Sequence, residues 1–458
     1  MTEITQTFEQ TIEALIDAKK YATIRDVLTT LRPADIAIIL ESVDNAKLPL
    51  VFRLLPKELA AEAFVEMESD QQEVLIRSFS DAELKEVVDE LYVDDAVDIV
   101  EEMPANVVSR ILRQADPDMR KMINEILKYP EDSAGSIMTT EYVELRPDMS
   151  ADDAIKRVRR TGIDKDTIYT CYVTDKDRRL IGAITLKTLL LSDDETLVSD
   201  IMREDAVCVN TLEDQEEAAK ALSKYDLQAI PVVDQESRLV GIITIDDAID
   251  VIEEETTEDI EKMAAIMPTD KPYLKMTPVE IWKSRIPWLM LLMVSATFTG
   301  MIISSFETAL AAQAALTAFI PMLMDTGGNS GSQASVTVIR SLSIGDIEFS
   351  DIFQVIWKEL RVAILCALTL AVVSFAKIQL IDVLLLGHTS VTIGVTLVVC
   401  LTLALTIIAA KFVGCTLPLL AKKLGFDPAV MASPFITTIV DALSLLIYFA
   451  FASVILKI

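Results

Sequence analysis

Asp427-Pro428-Ala429, followed by Ser433-Pro434-Phe435-Ile436-Thr437-Thr438-Ile439-Val440-Asp441-Ala442-Leu443-Ser444, is the stretch whose reading decides the fold. From Pro428 to Ile458 the only charged side chains are Asp441 and Lys457. A run that long with so little charge predicts a bilayer-spanning helix and puts Asp441 near mid-membrane. A carboxylate at that depth costs roughly 2.5–3.5 kcal/mol on insertion scales, so the default expectation is a watery path or a bound cation rather than lipid. At 3.6 residues per turn Pro434, Thr437, Thr438, Asp441 and Ser444 share a face, a polar stripe that predicts a pore wall. Two plainer readings stand beside it. Asp441 is then a structural carboxylate, capped by hydroxyls or paired with a lysine of a neighbouring helix; or the stripe is a small-residue helix contact, which accounts for the threonines but not for the acid.

The remainder of the chain divides around this region. Its 458 residues exceed one core, and a hydrophobic content of 51% coexists with a formal net charge of −30. Residues 284–458 hold nine acidic and nine basic side chains, so the whole excess of negative charge lies before them. A soluble region that acidic suits multivalent cations and excludes nucleic acid as a partner. The five cysteines form no CxxC pair, which argues against a zinc site or a disulfide framework and for a reducing, cytosolic setting. Met1 to Gln10 has neither a basic nor an apolar signal region.

Within 1–130, short amphipathic segments follow helix-start cues such as Arg32-Pro33-Ala34-Asp35 and Ser80-Asp81-Ala82-Glu83, predicting a helical solenoid. There Asp94 and Asp98 share a helical face, a like-charge i,i+4 pair that a cation would relieve; the bland reading is a solvated acidic face. Residues 131–199 and 200–252 carry one pattern twice. Ser136-Ile137-Met138-Thr139 returns as Asp200-Ile201-Met202-Arg203, and Tyr172-Val173-Thr174-Asp175 with Leu180-Ile181-Gly182 returns as Pro231-Val232-Val233-Asp234 with Leu239-Val240-Gly241. Each copy predicts strand, helix, hairpin and closing helix, an α+β unit. The pair resembles tandem cystathionine-β-synthase (CBS) domains, many of which hold adenosine nucleotides by a hydroxyl residue and an acid three positions later. Thr244 and Asp247 match that pattern; Thr185 and Thr188 of the first copy lack the acid. Residues 253–283 follow as an acidic linker, and 284–458 as an apolar region with five predicted spans at 286–306, 308–339, 362–386, 391–421 and 428–456. Arg340, Lys358 and Arg361 are expected in one loop and Lys422 and Lys423 in another; by the positive-inside rule both are cytosolic.

In the second predicted span, Gly327-Gly328-Asn329-x-Gly331-x-Gln333 allows close helix approach and a loosened backbone. This segment, the Asp427-Pro428-Ala429 motif with Asp441 beyond it, the CBS pair and the acidic helical N-domain, in that order, resemble the MgtE family of magnesium channels over essentially the whole chain. The resemblance implies a homodimer with five membrane helices per protomer, a pore lined by the second and fifth, and a linker "plug" helix that closes it. Its pore positions fall on Asp441, Asn329, Gly328, Ser332, Thr437 and Ser433. Ser332 and Ser433 stand where many members have asparagine. Its magnesium-sensing acids fall on Asp94, Asp98, Asp214, Glu216, Asp226, Asp247, Asp250, Glu255, Glu258 and Asp259.

The expected function is therefore passive magnesium influx across a bacterial inner membrane, closed by cytosolic magnesium that is both cargo and regulator, with ATP at the CBS pair as a further expectation. For a divalent ion 100 mV supplies about 4.6 kcal/mol, and no GxxxxGK[ST] loop is present to hydrolyse nucleotide. Two alternatives stand: the same architecture conducting cobalt or manganese, and a membrane-anchored nucleotide or magnesium sensor. An enzyme is the least expected class: no nucleophile–base pair appears, and the sole histidine, His388, falls in a predicted outer loop.

Overall fold

The computed structural model describes residues 11–457 except 270, 272, 389 and 432, with the side chains of 164 and 433 also left out. The N-terminal segment read above for a signal, and the side chain of Ser433, lie outside the described residues. The chain forms two compact units, one ending at Ile252 and the other beginning at Glu253.

The first unit opens with short helices: α1 (11–17), α2 (Tyr21–Leu28), α3 (Pro33–Glu41), α4 (Leu48–Phe52), α5 (Lys57–Val65), α6 (Ser69–Ser78), α7 (Asp81–Val88), α8 (Val93–Glu102), α9 (Ala105–Gln114) and α10 (Pro117–Ile126). Their starts follow from local chemistry. Ser80 and Glu83 close a capping box on α7. The Asp116 carboxylate accepts from the N–H groups of Asp118 and Met119, with Pro117 pre-set for the first turn of α10. Helices this short bury their apolar faces only on each other, α3 on α5, α5 on α7, α7 on α9 and α8 on α10, around Leu28, Leu40, Phe64 and Leu75.

Two small sheets follow, built alike. β1 (Glu144–Leu145) runs parallel to β2 (Thr170–Thr174), which pairs antiparallel with β3 (Leu180–Thr185). β4 (Val209–Asn210), β5 (Ala229–Val233) and β6 (Leu239–Thr244) repeat that order, down to the bulge near the end of the middle strand. The repeated glycine has a physical reason. A Cβ on Gly182 would stand 2.7 Å from the Arg203 carbonyl, and one on Gly241 2.8 Å from the Thr139 carbonyl. In each case the Ile-Met motif of the other copy crosses the strand there, Ala183 pairing with Arg203 and Thr139 with Ile242. Each repeat therefore completes its partner, and the sequence period marks one interlocked module.

In the second unit, α16 (Pro278–Ser305), α19 (Ile352–Lys377) extended by π-helical turns to Leu385, α20 (Ile393–Lys423) and α21 (Ser433–Leu456) after a Pro428–Met431 turn are long and apolar enough to cross a membrane. α18 (Ile320–Ser343) has the length, 24 residues or about 36 Å, but its glycine, serine, asparagine and glutamine content leaves it less apolar than those four. The span expected at 308–339 is broken: α17 (Glu307–Ala312) and a 3₁₀ turn (Ala314–Phe319) precede α18. Lys358 and Arg361 lie inside α19, Arg340 inside α18 and Lys422 and Lys423 in the last turn of α20, so none is a loop residue. These helices run on past their apolar stretches, where Arg361 lies over the Trp357 ring and Glu359 finds a partner on α20.

Glycine sets the spacing of α18, α20 and α21, which pack on one another. A Cβ on Gly414 would lie 2.3 Å from the Gly331 carbonyl, and one on Gly331 2.8 Å from Ile436 Cγ2. Gly414→Ala must push α18 away from α20 and is expected to cost about 1–3 kcal/mol, whereas Gly300→Ala, with nothing within 4 Å, should be neutral or slightly stabilising. Thermal unfolding of the two variants in one detergent checks the contrast.

Candidate functional site

The polar stripe of α21 meets the glycine segment of α18. Gly328 is buried, and a Cβ there would stand 2.9 Å from Thr437 Cγ2; the glycine is what lets Thr437 sit against α18. Asn329 is exposed, Ser332 and Thr437 are half-buried, and the Ser433 side chain lies outside the described residues. Asp441 is half-buried one turn beyond Thr437. Its Oδ1 is sealed from solvent without a hydrogen-bond partner, and Asp325 of α18 lies within electrostatic reach. Among the described residues neither a lysine nor a hydroxyl is seen on that oxygen. The buried lysine on a neighbouring helix, Lys411, pairs with Glu359 at 3.4 Å, and Lys377 pairs with Asp382 at 2.8 Å. No hydroxyl caps Oδ1. The Oγ of Ser444, one turn further, is itself buried and unpartnered.

The helix α15 (Ile245–Met263) is continuous from the last CBS strand into the second unit. In that unit its end is fastened to the bundle. Ser343 Oγ at the end of α18 donates to Asp259 at 3.2 Å, Lys262 bridges Glu258 at 2.6 Å and Asp427 at 2.7 Å, and Met263 packs with Ile339 and Ala429. Asp427 also accepts from the Ala429 N–H at 2.7 Å, so the Asp-Pro-Ala motif both starts the turn before α21 and anchors the linker. The sequence reading assigned Glu258 and Asp259 but missed Lys262, whose only signal was a single base four residues after an acid.

The second constellation lies within the first unit. On α8, Asp94 is only 8% exposed, and its Oδ1 has no partner. Burial first, then the charges of Asp247, Asp95 and Asp166, raise its carboxyl well above the usual range. Burial followed by Asp247 and Asp166 pushes Asp95 up to about 7, and burial followed by Asp247 and Asp246 pushes Asp166 up to about 6. Asp98 is raised by the same causes, crowding first and Asp247 next, although it reaches solvent. Burial also raises Asp247, against the opposing hydrogen bonds from Thr244. The fold thus gathers acids from α8, the first repeat and the second repeat. Among the described residues no three acidic, histidine or cysteine side chains by themselves form a metal cage. Asp95 and Asp166 escaped the sequence reading because neither lies in a motif; only tertiary packing brings them to Asp247.

Of the other expected sensing acids, Asp250 lies within electrostatic reach of Asp247; Asp214, Glu216, Asp226 and Glu255 stand elsewhere. Asp214 caps α14 (Gln215–Lys224), accepting from the Glu216 N–H at 2.9 Å, and Glu216 pairs with Lys220 at 2.9 Å. Asp226 is exposed at positive φ just after α14. Asp250 is exposed and Glu255 half-buried along α15. The nucleotide pair is closed on itself, Thr244 Oγ1 donating to Asp247 Oδ2 at 2.5 Å, and Thr185 and Thr188 hydroxyls meet at 2.9 Å. The first repeat holds an apolar cavity of 270 Å³ lined by Ile155, Val158, Gly162, Ile168, Leu186 and Leu190, with Arg159 at its edge.

Known proteins resemble this chain over most of its length. Residues 31–132 match the MgtE intracellular N domain, 134–194 and 198–254 the CBS domain, and 320–451 the family described as MgtE, divalent cation transporter. The chain is 36% identical over 440 residues to the magnesium transporter MgtE of Thermus thermophilus, covering 95% of each, and 31% identical over 454 residues to that of Bacillus subtilis, covering 98% of each. Among solved structures, the cytosolic domain of the Mg2+ channel MgtE in complex with ATP is similar to 53% of this chain at 34% identity, with 99% of that domain covered and a TM-score of 0.51. With its apolar C-terminal helices and its N-terminal and CBS modules, the chain belongs to the MgtE family of membrane-embedded magnesium transporters.

Proposed function

We propose that the chain is a homodimeric, magnesium-selective channel, driven by membrane potential and closed by cytosolic magnesium. The observation that carries this reading is Asp441: a mid-helix carboxylate whose buried oxygen has no protein partner, while the buried lysine of the bundle is committed to Glu359. Two copies facing a two-fold axis present two such carboxylates to a largely hydrated ion. The second copy has a surface to meet: Leu190 and Leu191 on the closing helix of the first repeat and Ile249 and Ile252 on that of the second are exposed, an apolar face repeated at equivalent places. Selectivity for magnesium over softer divalents rests on the oxygen-only character of the stripe.

In the gating scheme, the acids around Asp94 and Asp247 repel one another until a divalent cation joins them, and the helix that carries Asp247 in its first turn carries Asp259 and Lys262 in its last turns beside α18. Bridging at one end of α15 therefore biases the latch at the other. Several ions favouring one state multiply, so closure is steep in magnesium. ATP at the CBS pair is included in the proposal, supported by the solved relative whose cytosolic domain is in complex with ATP; it requires Asp247 to release Thr244.

Three outcomes are expected. Asp441→Asn should abolish magnesium flux into proteoliposomes while size-exclusion behaviour stays that of wild type; wild-type flux in that variant would overturn the pore assignment. Replacing Asp247, Asp250, Glu255, Glu258 and Asp259 together by alanine should remove magnesium-dependent protection of the 252–272 linker from protease and magnesium-dependent closure in single-channel recording, at constant ionic strength. The third concerns pH. Carboxyls raised to about 6 and 7 at Asp166 and Asp95 hold more protons folded than unfolded, so without divalent cation stability should fall as pH climbs from about 4 through about 7. Magnesium should flatten that slope by taking the place of the protons. Apparent unfolding temperatures across this range, in chelator and in magnesium, test the sign.

A further inference from the structure

Among the positions that the family resemblance brings to the pore, the only acid is Asp441 on α21; α18 contributes Gly328, Asn329 and Ser332 and no charge. Yet α18 carries a carboxylate on the face it leaves uncovered. Gly327, Gly328, Ser330, Gly331, Ala334 and Ser335 are buried against the bundle, whereas Asp325, Asn329, Gln333 and Val336 are exposed and Ser332 is half-buried. At 3.6 residues per turn positions 325, 329, 332, 333 and 336 fall on one side of the helix. The stripe lies at membrane depth. A Cβ on Gly327 would stand 2.6 Å from Thr406 Cγ2, and Thr406 is near the middle of α20, a helix long and apolar enough to cross. A carboxylate and two amides at that depth line water or a cavity rather than lipid. The bundle's lysines at Lys411 and Lys377 are engaged by Glu359 and Asp382, so neither neutralises Asp325.

The register of α18 against α21 sets where Asp325 stands. The two helices run antiparallel: Ile436 lies 2.8 Å from the Cβ that Gly331 lacks, Thr437 2.9 Å from that of Gly328, and Val440 3.0 Å from that of Gly327. Asp325 is three residues before Gly328 and Asp441 four after Thr437, about 4.5 and about 6 Å along the two axes in the same direction. The two acids therefore share one level, on the side away from the Ser343–Asp259 contact at the far end of α18, and lie within electrostatic reach. The oxygens around Asp441 are unsatisfied: its Oδ1 is sealed without a partner, and Ser444, fully buried on the same stripe one turn further, has an unpartnered Oγ. Like charges held beside unsatisfied oxygens call for a cation that brings water of its own.

We propose that Asp325 is a second pore carboxylate, a charge on the α18 wall level with Asp441 that makes the path selective for doubly over singly charged ions. This rests on the reading of Asp441 as the pore acid and of the chain as a dimer. Two copies then present four carboxylates rather than two around the two-fold axis. Because attraction scales with the charge of the ion, a wall of four negative charges concentrates a divalent cation far more than a monovalent one. Asp441 remains the group that conduction requires; Asp325 sets apparent affinity and valence.

The test is current and reversal potential in planar bilayers holding the full-length protein, with the cytosolic face free of magnesium. Asp325→Asn should raise the magnesium giving half-maximal current by about tenfold or more and lower the magnesium-to-sodium permeability ratio by a similar factor, the scale on which a wall of one sign concentrates counter-ions. Asp325→Glu, which keeps the charge, should recover most of both. Asp346→Asn, which removes an exposed acid beyond the end of α18, should change neither. Wild-type values in Asp325→Asn, where Asp441→Asn conducts nothing, would overturn the second carboxylate and leave the pore reading intact. Wild-type current in Asp441→Asn would remove both. An Asp325→Glu variant no better than Asp325→Asn would show a packing role, and an equal shift in Asp346→Asn would show general surface charge; either overturns the proposal.

Discussion

A carboxylate withdrawn from water has to be neutralised by a proton, a cationic side chain or a metal ion, and the rest of this structure depends on which of the three it receives. In the bundle, Glu359 receives Lys411 and Asp382 receives Lys377; the π-helical widening after Lys377 brings that i,i+5 pair onto one face. Asp441 receives neither. Around Asp94 and Asp247 the packing supplies no neutralising side chain to the orphan oxygens, so charge is relieved either by protonation or by a divalent ion. The proposed pore and sensing roles both rest on that same choice.

Close packing makes those choices definite. Gly414, Gly331 and Gly328 let α18 approach α20 and α21 to backbone distance, so the threonine stripe and the acid beyond it cannot drift from the glycine segment. Gly182 and Gly241 do the equivalent work in the CBS module, where each admits the crossing segment of the other repeat. α15 carries Asp246 and Asp247 in its first turn and Lys262, bridged to Glu258 and Asp427, in its last.

Much was legible from the chain alone. The long uncharged run with one aspartate, the doubled CBS pattern and the order of modules determined the family and the membrane region and singled out Asp441 on α21 as a candidate, because hydropathy, repeat period and turn chemistry are local properties. Asp94 and Asp98 were legible as a repelling pair for the same reason. Tertiary structure decided what local pattern cannot carry. It put Asp95 and Asp166 beside Asp247 although 71 residues separate the first two. It made Asp214 a helix cap and Glu216 the partner of Lys220, two acids that the family resemblance had placed among the sensors. It drew Lys358, Arg361 and Arg340 into helices, since a helix continues past the apolar boundary wherever its polar end finds partners. It matched Lys411 to Glu359, which left Asp441 without a cation from its own bundle; pairing across 52 residues depends on how helices pack, and no periodicity records it.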